Sequence, residues 1–254
     1  MLKRVVLLVL AVALLAGCVQ ETKEPDSAGF WVLRAVDGDT IELAGGQFVR
    51  LLGINTPERG MPCYNEAKEF LQGKAAGKKV TLEFDTEKTD RYGRWLAHAF
   101  SGNKNLNVEI VDEGLAFPYF LGNNRKYEQE ITGAKKNAEK MAESCLWKRG
   151  NGCMELSSFS LSGNEFIEFE NNCGYAIGLN GWLLHDIANN KFVFPHVEIG
   201  GNEKARLYSA EGTNSGNSIY WGEGNVWNNE GDSYYLRDSN MLLADYGFLA
   251  PENQ

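Results

Sequence analysis

Three short stretches bring charged and hydroxyl-bearing side chains close together: Asp37-Gly38-Asp39-Thr40, RLLGINTPE (Arg50 to Glu58) and TDRYGRWLA (Thr89 to Ala97). In the first, two carboxylates stand two residues apart, on one side of an extended chain. Gly38 between them allows a close backbone approach or a turn. Hard cations such as calcium take several oxygen ligands at about 2.3–2.6 Å, and Asn55 and Thr56 offer further oxygens. Arg50 interrupts the apolar run FVRLLGI, where a guanidinium needs a partner or a route to water. A bidentate grip on phosphate would supply the partner. Glu58 follows Pro57, which fixes φ and holds the residue before it extended. Arg91 and Arg94 flank Tyr92, whose ring or hydroxyl can stand beside a phosphate they contact. Taken singly, each stretch also has an ordinary reading as a turn, a snorkelling arginine or solvated surface charge.

Strand-like runs must position these residues. FWVLRAV (30–36) leads into DGDTIEL, and Gly45-Gly46 supplies a tight hairpin before QFVRLLGI. CYNEAKEFLQGK reads as a short helix with Ala67, Phe70 and Leu71 at i, i+3, i+4. KKVTLEF (78–84) and RWLAHAF (94–100) alternate as strands. A long helix is expected from about Asn124, with Asn123 as its cap and an apolar stripe through Tyr127, Ile131, Ala134, Ala138, Met141 and Cys145. Three strands, a helix, two strands and a terminal helix point to a small barrel with packed helices, and the five-stranded OB-fold leads the candidates. His98 falls in a strand, where a satisfied histidine is expected.

The three motifs, in this order, closely resemble the staphylococcal nuclease (thermonuclease) family. The resemblance spans roughly residues 30–147 and includes EGLAFPY and a last helix ending in Leu146-Trp147. It implies an OB-fold, calcium-dependent endonuclease that cleaves DNA and RNA and leaves 3′-phosphate ends. Carried over by position, Asp39 becomes a calcium ligand, Asp37 a nearby carboxylate, and Thr56 a ligand through its backbone carbonyl. Asn55 falls where the family prototype has a second aspartate ligand. Arg50 and Arg94 become the phosphate-binding arginines, and Glu58 the base or orienter of the attacking water. Arg91, Tyr92 and Tyr119 match substrate-contacting positions. Such a set suits the reaction, because a cation and two guanidiniums can be preorganised against the charge that builds on a phosphodiester under attack. Two departures stand out. The neutral Asn55 should weaken calcium binding, so Asn55→Asp should tighten it. The loop after Glu58 runs through Arg59-Gly60-Met61-Pro62 straight into Cys63 and lacks a longer substrate-side loop. The alternative reading is a catalytically weak or inactive surface protein that binds nucleic acid, with Asn55 having ended turnover. A purely binding role has no need of Glu58.

The remainder of the chain has a different character. Residues 29–150 hold 18 Lys and Arg against 17 Asp and Glu, whereas residues 151–254 hold 4 against 14, so the overall charge of −9 sits almost wholly in the back half. That acidity disfavours direct nucleic-acid binding there. A boundary is expected near KRGNGC (148–153), giving domains over 29–150 and 151–254. Short strands separated by Gly/Asn-rich turns read as an all-β sandwich. FIEFENN, LNGWLLHD and IYWGEGNVWNNEGDSYYLRDSNMLLADYGF resemble the lamin-tail domain, an immunoglobulin-like fold, over about residues 154–248. That resemblance implies an interaction or positioning module whose partner stays open. Trp182, Trp221 and Trp227 read as core or rim packing before a base or sugar platform. His185 and His196 have too few partners for a metal site.

Export is expected from the first residues. Lys3-Arg4, the apolar run Val5 to Leu15 and the small Ala16-Gly17 form a signal peptide (1–17) rather than a membrane span. Leu15-Ala16-Gly17-Cys18 resembles the lipobox of bacterial-type lipoproteins, which implies acylation of Cys18 and anchorage at the outer face of the cytoplasmic membrane or envelope. The polar, aperiodic residues 18–28 read as a tether, and a monomer is expected. In an oxidising compartment the other four cysteines read as two disulfides. Three connectivities are open, and Cys63–Cys145 with Cys153–Cys173 keeps each bridge within one domain.

Overall fold

The computed structural model describes residues 29–251. The expected signal segment, Cys18 and the tether lie outside the described residues. β1 (Phe30–Ala35), β2 (Thr40–Leu43) and β3 (Phe48–Leu51) form an antiparallel meander, followed by β4 (Ile54–Asn55). α1 (Tyr64–Ala75) precedes β5 (Lys79–Thr89) and β6 (Trp95–Ser101). β1 pairs with β5, β5 with β6, and β6 returns to β3 in parallel. Five strands therefore close on themselves, as the OB-fold expectation requires. Val32, Ile41, Val49, Leu51, Val80 and Leu82 fill the interior. Strand period explains the arginine that seemed to break the run. Val49 and Leu51 face the core, and Arg50 between them lies on the opposite, half-buried face.

α1 lays Ala67, Leu71 and Ala75 on the barrel. After β7 (Lys104–Asn105) comes an unexpected helix, α2 (Leu106–Asp112), whose first amides at Asn107 and Val108 bond the Asn105 side chain. Seven residues are too few for a clear helical period, and the N-cap asparagine was its legible sign. β8 (Phe117–Pro118) pairs with β4, and α3 (Glu128–Met141) packs Ile131, Ala134 and Ala138 inward. α3 starts later than expected and neither Asn123 nor Tyr127 caps it with a side chain. Asn124 instead bonds both backbone groups of Glu87, tying the loop to β5. Met141 is exposed, and Ala142, at φ 49°, ends α3 before Cys145.

The back half is built from β9 (Met154–Ser160), β10 (Phe166–Asn171), β11 (Ile177–Gly178), β12 (Leu183–Asp186) and β13 (Lys191–Val193). It continues with β14 (Glu198–Ile199), β15 (Lys204–Tyr208), β16 (Ser218–Tyr220), β17 (Asp232–Arg237) and β18 (Leu243–Leu249). One sheet runs β16-β15-β10-β9 and the other β13-β12-β17-β18, with β11 and β14 as a small pair. Phe169, Trp182, Leu184, Leu207, Trp227 and Leu236 lie in the core between them, so this is the expected all-β sandwich. Trp221 packs against that core and meets Trp227 edge-on at 6.0 Å. The tryptophans serve packing. The disulfides are Cys63–Cys145 and Cys153–Cys173, the favoured pairing.

A third core joins the halves. Phe117, Leu146 and Trp147 meet Tyr235 and Leu243, with Phe117 and Tyr235 rings 4.4 Å apart. Arg237 is fully buried here and donates to the carbonyls of Leu146 at 2.9 Å and Met241 at 3.1 Å. Its Nε also donates to His185 Nε2 at 3.4 Å. Burial and the Arg237 charge pull the His185 pKa down to about 3, so the ring is neutral as it stacks on Tyr235. His98 departs from expectation. It is buried, yet neither ring nitrogen has a hydrogen-bond partner among the described residues. Its ring meets Tyr127 edge-on at 4.7 Å, and burial drives its pKa down to about 4. An apolar strand supplies packing for a ring but no donors or acceptors beyond the ladder.

Candidate active site

The β1–β2 connection carries Asp37 and Asp39 in a bend closed by Val36 N–H donating to Thr40 O at 2.8 Å. The two carboxylates therefore lie on a turn, the ordinary reading of Asp-Gly. Gly38 is needed for close approach. A Cβ there would stand 2.7 Å from Ala67 Cβ and 2.8 Å from Thr56 Oγ1. α1 and the Thr56 segment thus press the turn into place. Asp39 is buried and well supplied with donors. Its Oδ2 accepts from the Thr56 amide at 2.9 Å and hydroxyl at 3.0 Å, and its Oδ1 from Thr40 Oγ1 at 3.2 Å. Arg50 Nε completes this set, 3.1 Å from Asp39 Oδ1. Asp37 Oδ1 accepts the Asp39 amide at 3.1 Å. Burial, followed by the Asp39 charge, pushes the Asp37 pKa up to about 6.

Arg50 is placed by the ladder, opposite Thr40 on β2 and Leu96 on β6. Its Nη1 donates to Leu51 O at 2.7 Å and its Nη2 to Asn55 Oδ1 at 2.9 Å. The partners that hold the arginine are therefore protein groups, where the sequence pointed to phosphate. Each terminal nitrogen keeps a second N–H beyond these bonds. Glu58 is exposed on the same cleft, and its carboxylate makes no hydrogen bond or ion pair among the described residues. Met61 N–H donates to its backbone carbonyl at 2.8 Å, a turn that brings the chain directly to Cys63.

Arg91, Tyr92 and Arg94 sit on the β5–β6 turn, organised by a residue that sequence reading passed over. Asp90 accepts from the amides of Tyr92 and Arg94 and from Arg94 Nε at 2.7 Å. The signal was an aspartate two residues before Tyr-Gly, the pattern of a side-chain-stabilised turn. Arg91 donates to the Tyr92 hydroxyl at 2.6 Å, and both guanidiniums lie against the Tyr92 ring, at 4.8 Å and 5.7 Å. The terminal nitrogens of Arg94 make no hydrogen bond among the described residues.

Nine of the ten expected site residues, Tyr119 among them, line one cleft of about 680 Å³. The tenth, Thr56, stands behind it, bound to Asp39. Glu87, Leu121 and Asn124 also line the cleft and were not anticipated. Five carboxylates (Asp37, Asp39, Glu58, Glu87 and Asp90) face three guanidiniums (Arg50, Arg91 and Arg94). A polyanion entering so acidic a cleft needs added positive charge. Asp37 and Asp39 are the carboxylates that would suit a hard divalent cation here, whereas the Asn55 oxygen expected beside them is bound by Arg50 Nη2. No group of three or more His, Cys, Asp or Glu forms a metal cluster among the described residues, so these two carboxylates are the charged donors.

Two family models match the chain: "Staphylococcal nuclease homologue" over residues 48–149 and "Lamin Tail Domain" over residues 150–248. The chain is 36% identical over 125 residues to a thermonuclease of Staphylococcus hyicus, covering 46% of this chain and 73% of that protein. A thermonuclease of Staphylococcus intermedius is 36% identical over 129 residues, covering 47% of this chain and 76% of that protein. An endonuclease of Bacillus subtilis (strain 168) is 30% identical over 146 residues, covering 48% of this chain and 12% of that protein. A closed five-stranded barrel, its arginine- and carboxylate-lined cleft and these similarities together place the chain in the staphylococcal nuclease family, as a nuclease whose barrel is followed by a lamin tail domain.

Proposed function

We propose that the cleft is a calcium-dependent endonuclease site that hydrolyses DNA and RNA and leaves 3′-phosphate ends. The observation that carries this reading is the meeting of Asp37, Asp39, Arg50, Glu58 and Arg94 in one cleft whose carboxylates outnumber its cations. Asp37 and Asp39 would hold calcium, with the Thr56 carbonyl as a neutral donor, while the Asn55 amide oxygen is taken by Arg50. Bound there, the ion supplies positive charge for a non-bridging phosphate oxygen.

Glu58 accepts a proton from water as the water oxygen bonds to phosphorus. The bond from phosphorus to the 5′ oxygen breaks, that oxygen leaves as a hydroxyl by taking a proton from solvent water, to which Glu58 returns its own, and the phosphate stays on the 3′ side. Arg50 offers its spare terminal N–H groups to the oxygens that gain charge, without releasing its present partners. Arg94, pinned through Nε to Asp90, offers its free terminal nitrogens from the opposite side. Arg91, Tyr92 and Tyr119 hold the flanking nucleotides by charge and stacking. The full chain, incubated with single-stranded DNA or RNA, should cut at millimolar calcium and stop when a chelator is added. Cleavage that persists through chelation would refute the calcium requirement.

The two disulfides support work in an oxidising compartment. Residues 1–18 give the rest of that proposal: an exported monomer, held to the outer face of a membrane through lipidated Cys18. The cleft is built within one chain, as a monomer needs. The acidic lamin tail domain is a positioning module in this reading, and the binding-only alternative fails to use the unpaired Glu58.

A further inference from the structure

Asn55, the residue that departs from the nuclease pattern, has a partner in the other domain. β4 brings it beside Phe117 of β8, and Phe117 in turn packs on Tyr235. The Asn55 amide is nearly buried and spans the boundary. Its Oδ1 accepts from Arg50 Nη2 at 2.9 Å, and its Nδ2 donates to the Ile187 carbonyl at 2.7 Å. A guanidinium can only donate, and a backbone carbonyl can only accept. The side chain between them must accept at one end and donate at the other, and an amide does so while a carboxylate does not. Aspartate here would satisfy Arg50 but set a negative oxygen against the Ile187 carbonyl in a nearly buried place. The tie is reinforced by the shared core around Trp147 and Tyr235 and by Arg237, which bonds Leu146 O from the sandwich side.

We propose that Asn55 is a positioning residue through which the lamin tail domain holds Arg50 in its catalytic place, so that the second domain is a working part of the nuclease cleft. The amide thus fits both partners in the two-domain chain, and Asn55→Asp costs activity. This rests on the nuclease reading, and the experiment separates the two. The full chain is compared with Asn55→Asp and Asn55→Ala in calcium-free buffer by amide hydrogen exchange, then by kcat, KM and calcium titration on single-stranded DNA. The expected result is faster exchange over residues 183–190 in Asn55→Asp, with kcat lower by about 10–100-fold, the range for lost supporting contacts, and KM little changed. Arg50→Lys should mask the effect, so that adding Asn55→Ala to it lowers kcat little further. Asn55→Asp with unchanged exchange, full kcat and tighter calcium binding would overturn the proposal and make Asn55 an ordinary metal ligand. Faster exchange with unaltered kcat would also overturn it, reducing the amide to a structural tie. A parent chain that does not cleave would instead sink the nuclease reading, before any variant is measured.

Discussion

Arg50 Nε and Asp39 Oδ1 stand 3.1 Å apart, so a phosphate-binding candidate and a metal-binding candidate hold one another in place. Arg50→Lys keeps a charge but loses the planar fork that reaches Asp39, Leu51 O and Asn55 together. Its kcat should fall by about 10²–10³-fold, the loss typical of one preorganised donor. Steady-state kinetics on single-stranded DNA at saturating calcium would measure it. A fall below threefold would remove Arg50 from the transition state.

Gly38 has no room for a methyl group between Ala67 and Thr56. Gly38→Ala should shift the Asp37–Asp39 turn and weaken calcium binding, with a stability loss of about 1–3 kcal/mol from overpacking. Calcium titration by calorimetry beside urea unfolding checks both effects. Unchanged calcium affinity would detach the turn from the metal.

The Cys63–Cys145 bridge joins residues 82 apart in sequence and anchors the short segment after Glu58. Replacing both cysteines with serine should cost about 2–4 kcal/mol through the freed unfolded chain. Loss of activity per folded molecule should accompany it, because the Glu58 turn leads straight into Cys63. Denaturation curves with and without reductant provide the measurement, and a reduced chain of equal stability would contradict the expectation.

His98 is a base whose folded-state pKa is depressed to about 4 by burial. Between about pH 6.5 and 4 the unfolded chain therefore binds a proton that the folded chain refuses. This group's effect on stability is absent above that window and destabilising within it, at about 1.4 kcal/mol per pH unit. Asp37 and Asp186, both raised to about 6, act in the opposite sense, so the comparison must be between variants. His98→Phe should be more stable than the parent by about 1 kcal/mol at pH 7, since it removes two unpaired polar atoms. The gap should widen toward pH 5 in urea titrations. A gap that stays constant would mean that the ring titrates normally.

The barrel was legible because Val49, Leu51, Val80 and Leu82 alternate, and the site because DGDT, RLLGINTPE and TDRYGRWLA in that order resemble the nuclease family. The sandwich was legible from turn spacing and the pairing of its cysteines from domain membership. The interface was not. Tyr235, Arg237 and Leu243 belong to ordinary sandwich strands, and their packing on Phe117 and Trp147 is set by surfaces that local periodicity does not encode. Asn55 failed for the same reason. Its type was visible, but its partner Ile187 is 132 residues away. α2 is not legible because seven residues carry too little helical period, and the start of α3 is displaced because Asn124 serves β5 rather than the helix end.

Glu58 is an exposed carboxylate of the cleft whose side chain makes no hydrogen bond or ion pair among the described residues, and the proposed mechanism assigns it the attacking water. Glu58→Gln keeps its size and should leave folding and calcium binding intact, so single-turnover cleavage of single-stranded DNA at saturating calcium isolates the chemical step. The expected result is a loss of about 10²–10⁴-fold in that rate, with a parent that leaves 3′-phosphate ends. A Glu58→Gln chain that cuts as fast as the parent would contradict it.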